Sequence, residues 1–417
     1  RQLNKVLGNG GRLYVDGAHP EYSTPECTDP REVVAFERIG ERILAQCLQE
    51  LTRVRGREQY LLYKNNSDGK GNSYGYHENY LVSRTVPFER LTKVLAPFFV
   101  TRLIFAGAGK VGAENQTSPT EYQISQRADF FECLADLNTM VKRPIINTRD
   151  EPHAEYGKYR RLHVIVGDAN MAELSTYLKV GTLSMVLEML QSGADLPQIE
   201  LDEPVRAIKL VSRDLDMKQT LKLSSGRPTT AIAVQRAYLD AAKVFYAGHP
   251  TTQVMQDVLR RWDDVLTRLE GDPRLLVQEL DWVAKRHLIE SYMDRKGCGW
   301  NDPRVKLMDL QYHDVRPEKG LFYTLERGGR MTRIVTEEEI ARAERTPPPG
   351  TRAYFRGRCA EQFPAAVYGA SWTSVMIDVG NTTIKRIPLM DPSRGTRALT
   401  GALLDGCATA QDLLAKL

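Results

Sequence analysis

Metal-clip and disulfide patterns are missing from this 417-residue chain: its six cysteines, Cys27, Cys47, Cys133, Cys298, Cys359 and Cys407, are scattered, with no C-x-x-C pair. That spacing argues against a zinc ribbon and for reduced thiols in a cytoplasmic protein. No apolar run is long enough to span a bilayer, and no signal peptide opens the chain. Neither sign of charge dominates, because 57 Lys and Arg face 53 Asp and Glu for a net +4. The bulk signature of a nucleic-acid binder is therefore missing too. Several nucleotide and hydrolase motifs fail on inspection. "GAGKVG" (107–112) fits G-x-G-x-x-G, but it ends an apolar helix where the fingerprint needs strand, turn, then helix. Its "GK" is followed by Val111, so it is no Walker A loop. "HENYL" lacks the second histidine of a zinc protease, and there is no G-x-S-x-G elbow. The chain has no initiator methionine either; "RQLNKVLGNGG" leads at once into a strand, and natural sequence is expected upstream of it.

What is present suits a large enzyme core with one smaller domain: 42% of residues are hydrophobic and 26% charged. Thr28-Asp29-Pro30 announces a helix, with apolar residues at helical spacing from Val33 to Leu51 and Gly56 as its stop. "YLLYK" (60–64) reads as a strand, and 65–76 as a Gly/Asn/Ser-rich loop. "HENYLVSR" (77–84) reads as a further strand. "FERLTKVLAPFFVTRLIFAG" is helical, bent or broken at Pro97. "EYQISQR" and "PIINTR" are short strands, and "YRRLHVIVGD" (159–168) is the clearest strand of all. Asp168 or Asn170 is expected to cap the helix that follows. Residues 230–295 are helix-rich. "RTPPPG" (345–350) reads as a linker. A small α+β segment follows, with a hairpin in "SVMIDVGNTTIKRI" turning at Gly-Asn, and then a terminal helix, "ALLDGCATAQDLLAKL".

Three strands share a habit. Arg12, Tyr14 and Asp16 alternate with Leu13 and Val15; His77 and Asn79 share one face; so do Arg161 and His163. The opposite faces are mostly apolar and read as core. A solvated sheet face would explain the alternation, but such faces are usually filled by Lys, Glu and Thr. If the three polar faces meet, they line a trough of carboxylates, imidazoles and guanidinium groups. Asp16 and Glu21 suit a hard cation such as Mg²⁺. Imidazoles complete such a site, though alone they fit Mn²⁺ or Zn²⁺ better. Arginines beside a metal suit polyphosphate oxygens. The residues point to a nucleotide–metal site built on a sheet, without a P-loop.

"NGGRLYVDGAHPEYSTPE", "LYKNNSDGKGNSYGYHENYL", "INTRDEPHAEYGKYRRLHVIVGDANMAE" and "TRAYFRGRC" closely resemble the Pup ligase and Pup deamidase/depupylase family (PafA and Dop). That family belongs to the carboxylate–amine ligase group and resembles glutamine synthetase. The likeness runs from about Gly10 to the C-terminus. It implies an α+β fold: a large glutamine-synthetase-like catalytic domain, 1–345, with a curved, mostly antiparallel sheet flanked by helices, and a small C-terminal α+β domain, 346–417. By motif, Asp16 matches the catalytic aspartate. Tyr14 and Glu21 match metal ligands, and His77 and His163 further metal-site positions. Arg12, Ser23, Thr24, Asn79 and Arg161 match nucleotide contacts, and Trp372 the tryptophan near the nucleotide. The implied cofactors are ATP, or retained ADP and phosphate, and Mg²⁺. The implied partners are Pup and pupylated proteins, with no nucleic acid and no membrane, and the protein is expected to be a monomer. The family's opening strand, G-x-E-T-E-[YF]-G, is not in this chain; it is expected upstream of Arg1, the alternative being an inactive relative.

Within the family, "DGAHPEY", "STPE" and the tail "SWTSVMIDVG" follow the depupylase branch, while "GNSYG", "IFAGAGKV", "LKVGT" and "LDWVAKR" lean toward the ligase. The expected activity is ATP/Mg-dependent cleavage of the Pup–lysine isopeptide bond and deamidation of a C-terminal glutamine of Pup. The alternative is the Pup–protein ligase, which forms that bond. A small-molecule glutamate–amine ligase fits the long motifs less well. Pup is disordered and acidic and would fold on binding. Arg127, Arg143 and Arg149 are candidates to guide its C-terminus, or else structural salt-bridge formers.

Overall fold

In the computed structural model the described residues are 4–17, 19–56, 60–138, 142–380 and 384–417. Alternation over residues 12–23 becomes two strands of an antiparallel sheet, with Asn4–Val6 beside Arg12–Asp16 and Arg12–Asp16 beside His19–Ser23. This sheet belongs to a compact unit made of residues 1–54, 151–159 and 335–417. A second unit comprises 55–150 and 160–334. The units are interleaved along the chain, and position 345/346 lies inside the first.

In the first unit the helix Pro30–Arg55 begins as its sequence dictates. Asp29 Oδ1 accepts from the Arg31 and Glu32 backbone N–H groups at 2.8 and 3.0 Å. Gly56, with φ +71°, follows its last residue. The helix receives the hairpin at Gly40, where a Cβ would stand 2.3 Å from the Tyr22 ring, so only glycine admits this approach. The apolar hairpin face is less closed than expected. Tyr22 and its cross-strand partner Leu13 are half-buried, but Val15, nearer the turn, is 45% exposed. A three-residue outer strand and one helix cover the base of this sheet and not its tip.

"RTPPPG" has Pro347 and Pro348 buried and its other four residues exposed. It joins the helices Glu337–Arg345 and Ala353–Gln362 within this unit. Proline has no N–H to satisfy, and its ring packs as an apolar group. The strands Val367–Ala370, Ser374–Ile377 and Lys385–Pro388 form an antiparallel meander. The expected hairpin is its second half; Asn381 of the Gly-Asn turn lies outside the described residues. The terminal helix is two helices, Arg397–Asp405 and Ala410–Lys416. Thr409 and Asp412 form a fresh capping box that starts the second. Tyr354, Phe355, Cys359, Val375, Ile377, Leu404 and Leu413 close the core around them.

In the second unit the strand Tyr76–Ser83 pairs with Tyr159–Gly167. Residues 60–64 are not a strand. They run extended beside 313–315, with a single bridge between Tyr63 and Asp314 and backbone bonds from Lys64 to His313 and Val315 to Leu62. The helix Phe88–Thr101 continues through Pro97, and the break falls at Arg102 before the short helix Leu103–Ala106. Behind these lie the helices Glu173–Gln191, Ala231–Ala247 and Gln253–Gly271, with Phe98 edge-on to Tyr238 and Trp262 at 5.3 and 6.3 Å.

Neither Asp168 nor Asn170 caps the helix Glu173–Gln191. Asp168 accepts from Ala108 N, Ser125 Oγ and Gln126 N. The helix has no side-chain cap; Asp281 instead fixes the residues that lead into it, its carboxylate accepting from Met171 N at 3.1 Å and Ala172 N at 2.8 Å. Among the described residues, Cys133–Asp136 pairs with Pro144–Asn147 in parallel, whereas the hairpin, the C-terminal meander and the short pairs Lys110–Val111 with Tyr122–Gln123 and Leu221–Lys222 with Pro228–Thr229 are antiparallel. The fold is α+β, as the motifs imply, with its strands in short separate ladders. No helix among the described residues is long and apolar enough to cross a membrane.

Candidate active site

The candidate residues fall into two groups, one in each unit. In the first unit the hairpin register sets Arg12 opposite Ser23, Tyr14 opposite Glu21 and Asp16 opposite His19. Directly opposed residues share a face, so the polar side of one strand meets the polar side of the next. Tyr14 Oη donates to Glu21 Oε2 at 2.6 Å, and Ser23 Oγ donates to Tyr14 Oη at 3.3 Å. Burial, reinforced by the bond to Glu21, pushes the Tyr14 phenol up to about 12. It is a neutral hydrogen-bond donor at physiological pH. Asp16 is exposed near the hairpin tip, and Thr24 follows the second strand, half-buried.

Trp372, from the loop between Val367–Ala370 and Ser374–Ile377, joins this group. The Arg12 guanidinium lies 4.9 Å from the centre of its ring and that of Arg356 lies 5.0 Å away. Glu26 anchors the cations: it accepts from Arg352 at 2.7 Å and makes a close two-point contact with Arg356, which also donates to Gly10 O at 3.0 Å. Burial works against the Glu26 carboxylate, but Arg356 and Arg352 outweigh it and hold its pKa at about 2. Burial, then the field of Arg356, lowers the pKa of Arg12. Glu26, Arg352 and Arg356 were not foreseen as part of this cluster. Two closely spaced arginines in "TRAYFRGRC" were the available signal, since buried guanidinium groups need a carboxylate.

In the second unit the strand pair brings His77 and Asn79 to Arg161 and His163. Asn79 Oδ1 accepts from Arg161 Nη1 at 3.0 Å and lies 2.9 Å from His163 Nδ1. That bond puts the proton of a neutral His163 on Nδ1 and the lone pair on Nε2. The His77 and His163 rings meet edge to face, centroids 4.9 Å apart. His77 folds over Gly75, where a Cβ would stand 2.1 Å from Nε2. The reverse face of this strand is not simply apolar. Glu78, between the two site residues, is buried against Arg102, with contacts of 2.5 and 3.1 Å. Tyr80 Oη donates to Glu78 as well, at 2.7 Å. An acid at an inward position of an alternating strand was the overlooked sign.

Among the described residues no group of three His, Cys, Asp or Glu side chains is arranged to hold a metal ion. Within each unit the expected donors come as pairs, Tyr14 with Glu21 and His77 with His163. Of the arginines proposed as guides, Arg127 and Arg143 both bond to Ser73. Arg149 donates its backbone N–H to Asn147.

Residues 1–376 match the family described as Pup-ligase protein. The chain is 48% identical to a depupylase of Acidothermus cellulolyticus, covering 99% of this chain and 83% of the relative. It is also 48% identical to a Pup deamidase/depupylase of Mycolicibacterium smegmatis, with the same coverage. A Pup–protein ligase of a Nocardioides species is 40% identical, covering 97% and 91%. Among solved structures, the Pup ligase PafA in complex with ADP superposes with a TM-score of 0.88 at 37% identity, covering 97% of this chain and 90% of that one. The complex of Pup with its ligase PafA gives the same TM-score and identity, over 97% of this chain and 83% of that one.

Proposed function

The chain belongs to the Pup-ligase protein family, and on that premise we propose that it is an ATP- and Mg²⁺-dependent amidase acting on Pup. It cleaves the isopeptide bond between Pup and substrate lysines and deamidates a C-terminal glutamine of Pup. The observation that carries the reading is the higher identity to depupylases than to ligases over nearly the whole chain. Amide hydrolysis is downhill, so the nucleotide serves as a retained cofactor, ATP or ADP with phosphate; a relative's complex with ADP supports nucleotide binding. Residues 1–345 carry the chemistry in this reading, and 346–417 form a small C-terminal domain. The protein works in the cytoplasm, in keeping with six free cysteines, and as a monomer.

Asp16 is assigned as the catalytic carboxylate. It attacks the amide carbon, or holds the water or phosphate that does. Its exposure near the tip of the hairpin supports this, because a reacting group must be reachable. The family positions for the nucleotide are Arg12, Ser23, Thr24 and Trp372 in the first unit and Asn79 and Arg161 in the second; Trp372 offers a ring to stack on, and Arg12 beside it suits phosphate oxygens. The family positions for Mg²⁺ are Tyr14 and Glu21 in the first unit and His77 and His163 in the second. The hairpin pair fits a hard cation, since it brings a carboxylate and a second oxygen to one face. When bound, the cation offsets phosphate charge.

The test follows the mass of Pup ending in glutamine, together with a purified Pup–protein conjugate, in the presence of ATP and Mg²⁺. The expected result is a gain of about one dalton on Pup and release of free target. Asp16→Asn is expected to bind nucleotide and Pup but lose about 10²–10⁴-fold in rate. Undiminished turnover in that variant would remove Asp16 from the chemistry. The ligase reading has the likeness to PafA in its favour; it prevails if neither substrate changes while Pup ending in glutamate becomes attached to lysines.

A further inference from the structure

Arg356, on the helix Ala353–Gln362, is 0% exposed and cannot touch a ligand, yet its contacts converge on groups assigned to the nucleotide. Among the described residues its guanidinium bonds to three places. Nη2 donates to Gly10 O at 3.0 Å, two residues before Arg12 in the chain. Nη1 donates to Trp372 O at 3.4 Å, and the cation lies 5.0 Å from the centre of the Trp372 ring. The two carboxylate oxygens of Glu26 take the rest of the fork, Nη1 reaching Oε1 at 3.1 Å and Nη2 making a close contact with Oε2. Glu26 is itself held by residues that lead into the same helix. Thr351 Oγ1 donates to its backbone carbonyl at 2.8 Å, and Arg352 Nε to its carboxylate at 2.7 Å.

Arg12 has different neighbours. Its guanidinium lies 4.9 Å from the centre of the Trp372 ring, and its Nε donates to Asn4 Oδ1 at 3.3 Å. Among the described residues no carboxylate hydrogen-bonds to it. Arg352 and Arg356 are buried, but Arg12 is only half-buried and so within reach of a ligand. Two guanidinium groups that share one indole repel each other, and Arg356 acts on Arg12 in that sense. Glu26 attracts both. A carboxylate here does two things. It fixes the plane of the Arg356 fork, because a two-point pair sets direction as well as strength. It also offsets the charge of Arg356 as Arg12 meets it. The Gly10 carbonyl and the Trp372 loop are then held by one fixed cation, and Arg12 rests on the indole. We infer that Glu26 is a positioning residue for the nucleotide: acting through Arg356, it sets Arg12 against Trp372 and so aims a phosphate-binding cation and a stacking ring as one unit. The inference rests on the nucleotide reading of Arg12 and Trp372 given above.

The experiment uses ADP as the probe and the full chain, with affinity read by calorimetry. A second readout is the emission of Trp372, taken as the difference between each protein and its Trp372→Phe counterpart; Trp262, Trp282 and Trp300 are common to both and cancel. Glu26→Gln is expected to weaken ADP about tenfold, the scale of a hydrogen bond to a charged group. It should also shift the Trp372 emission before any nucleotide is added. Glu26→Asp keeps the charge with a shorter reach and should recover part of both. In a protein already carrying Arg12→Gln, Glu26→Gln should cost no more than about twofold, because the cation it positions is gone. A folded Glu26→Gln protein that binds ADP within twofold of wild type and leaves the Trp372 emission in place overturns the inference. So does a loss of affinity as large in the Arg12→Gln protein as in wild type, which marks a merely structural role. Should Glu26→Gln not fold, Glu26→Asp decides: affinity and emission both equal to wild type overturn the inference. If wild type itself binds no ADP, the nucleotide reading falls and the inference with it, whereas equal binding by wild type and Glu26→Gln removes the inference alone.

Discussion

The hairpin that carries Asp16 and the strand pair that carries His77 and His163 present polar faces of the same design on very different supports. The hairpin rests on its helix at Gly40 and is open at the tip, where Val15 is 45% exposed. The strand Tyr159–Gly167 is buried from Leu162 onward, and its partner is bolted down by the buried pair of Glu78 and Arg102. Alternation alone does not distinguish these cases. The difference teaches that Asp16, assigned to bond breaking, sits where a substrate can reach it, while His77, Asn79, Arg161 and His163, assigned to binding, sit on rigid ground, where a fixed geometry has most value.

The contrast breaks most visibly at Arg102. Arg102→Ala leaves the Glu78 carboxylate buried without its partner and should cost about 3–5 kcal/mol, read by denaturant unfolding of the whole chain. A loss below about 1 kcal/mol would mean that water reaches Glu78 and the strand pair is not rigid. Next comes the hairpin's own anchor. Gly40→Ala puts a methyl group into the Tyr22 ring and should cost about 1–3 kcal/mol. It should also lower turnover and nucleotide affinity together, because it displaces the hairpin bearing Asp16, Arg12 and Ser23. The smallest effect belongs to Val15→Thr at the tip, expected within about 0.5 kcal/mol of wild type. A larger cost there would show that something covers the tip in solution.

Much of this was legible because it is local. The polar alternation of Arg12, Tyr14 and Asp16, the Asp29-Pro30 helix start and the Gly56 stop each depend on a few neighbouring residues, and the structure has them as read. What escaped was supplied from afar. The strand expected at 60–64 lost its ladder because its neighbour is the irregular stretch 313–315. Glu78 looked like one more polar residue until Arg102 arrived from the break between two helices. Glu26 was silent because its partners lie more than 300 residues away. Composition names a buried acid as a debtor to some cation, but periodicity within one strand cannot say which.

The Asp281 contact has a consequence for the order in which the chain can mature on the ribosome. Ala172, which leads into the helix Glu173–Gln191, is synthesised 109 residues before the carboxylate its amide meets. At a usual elongation rate of about 5–20 residues per second, that interval lasts roughly 5–20 s. Throughout it the amides of Met171 and Ala172 have only water for partners. Until Asp281 has been made, the entry to this helix lacks the anchor it has in the folded chain.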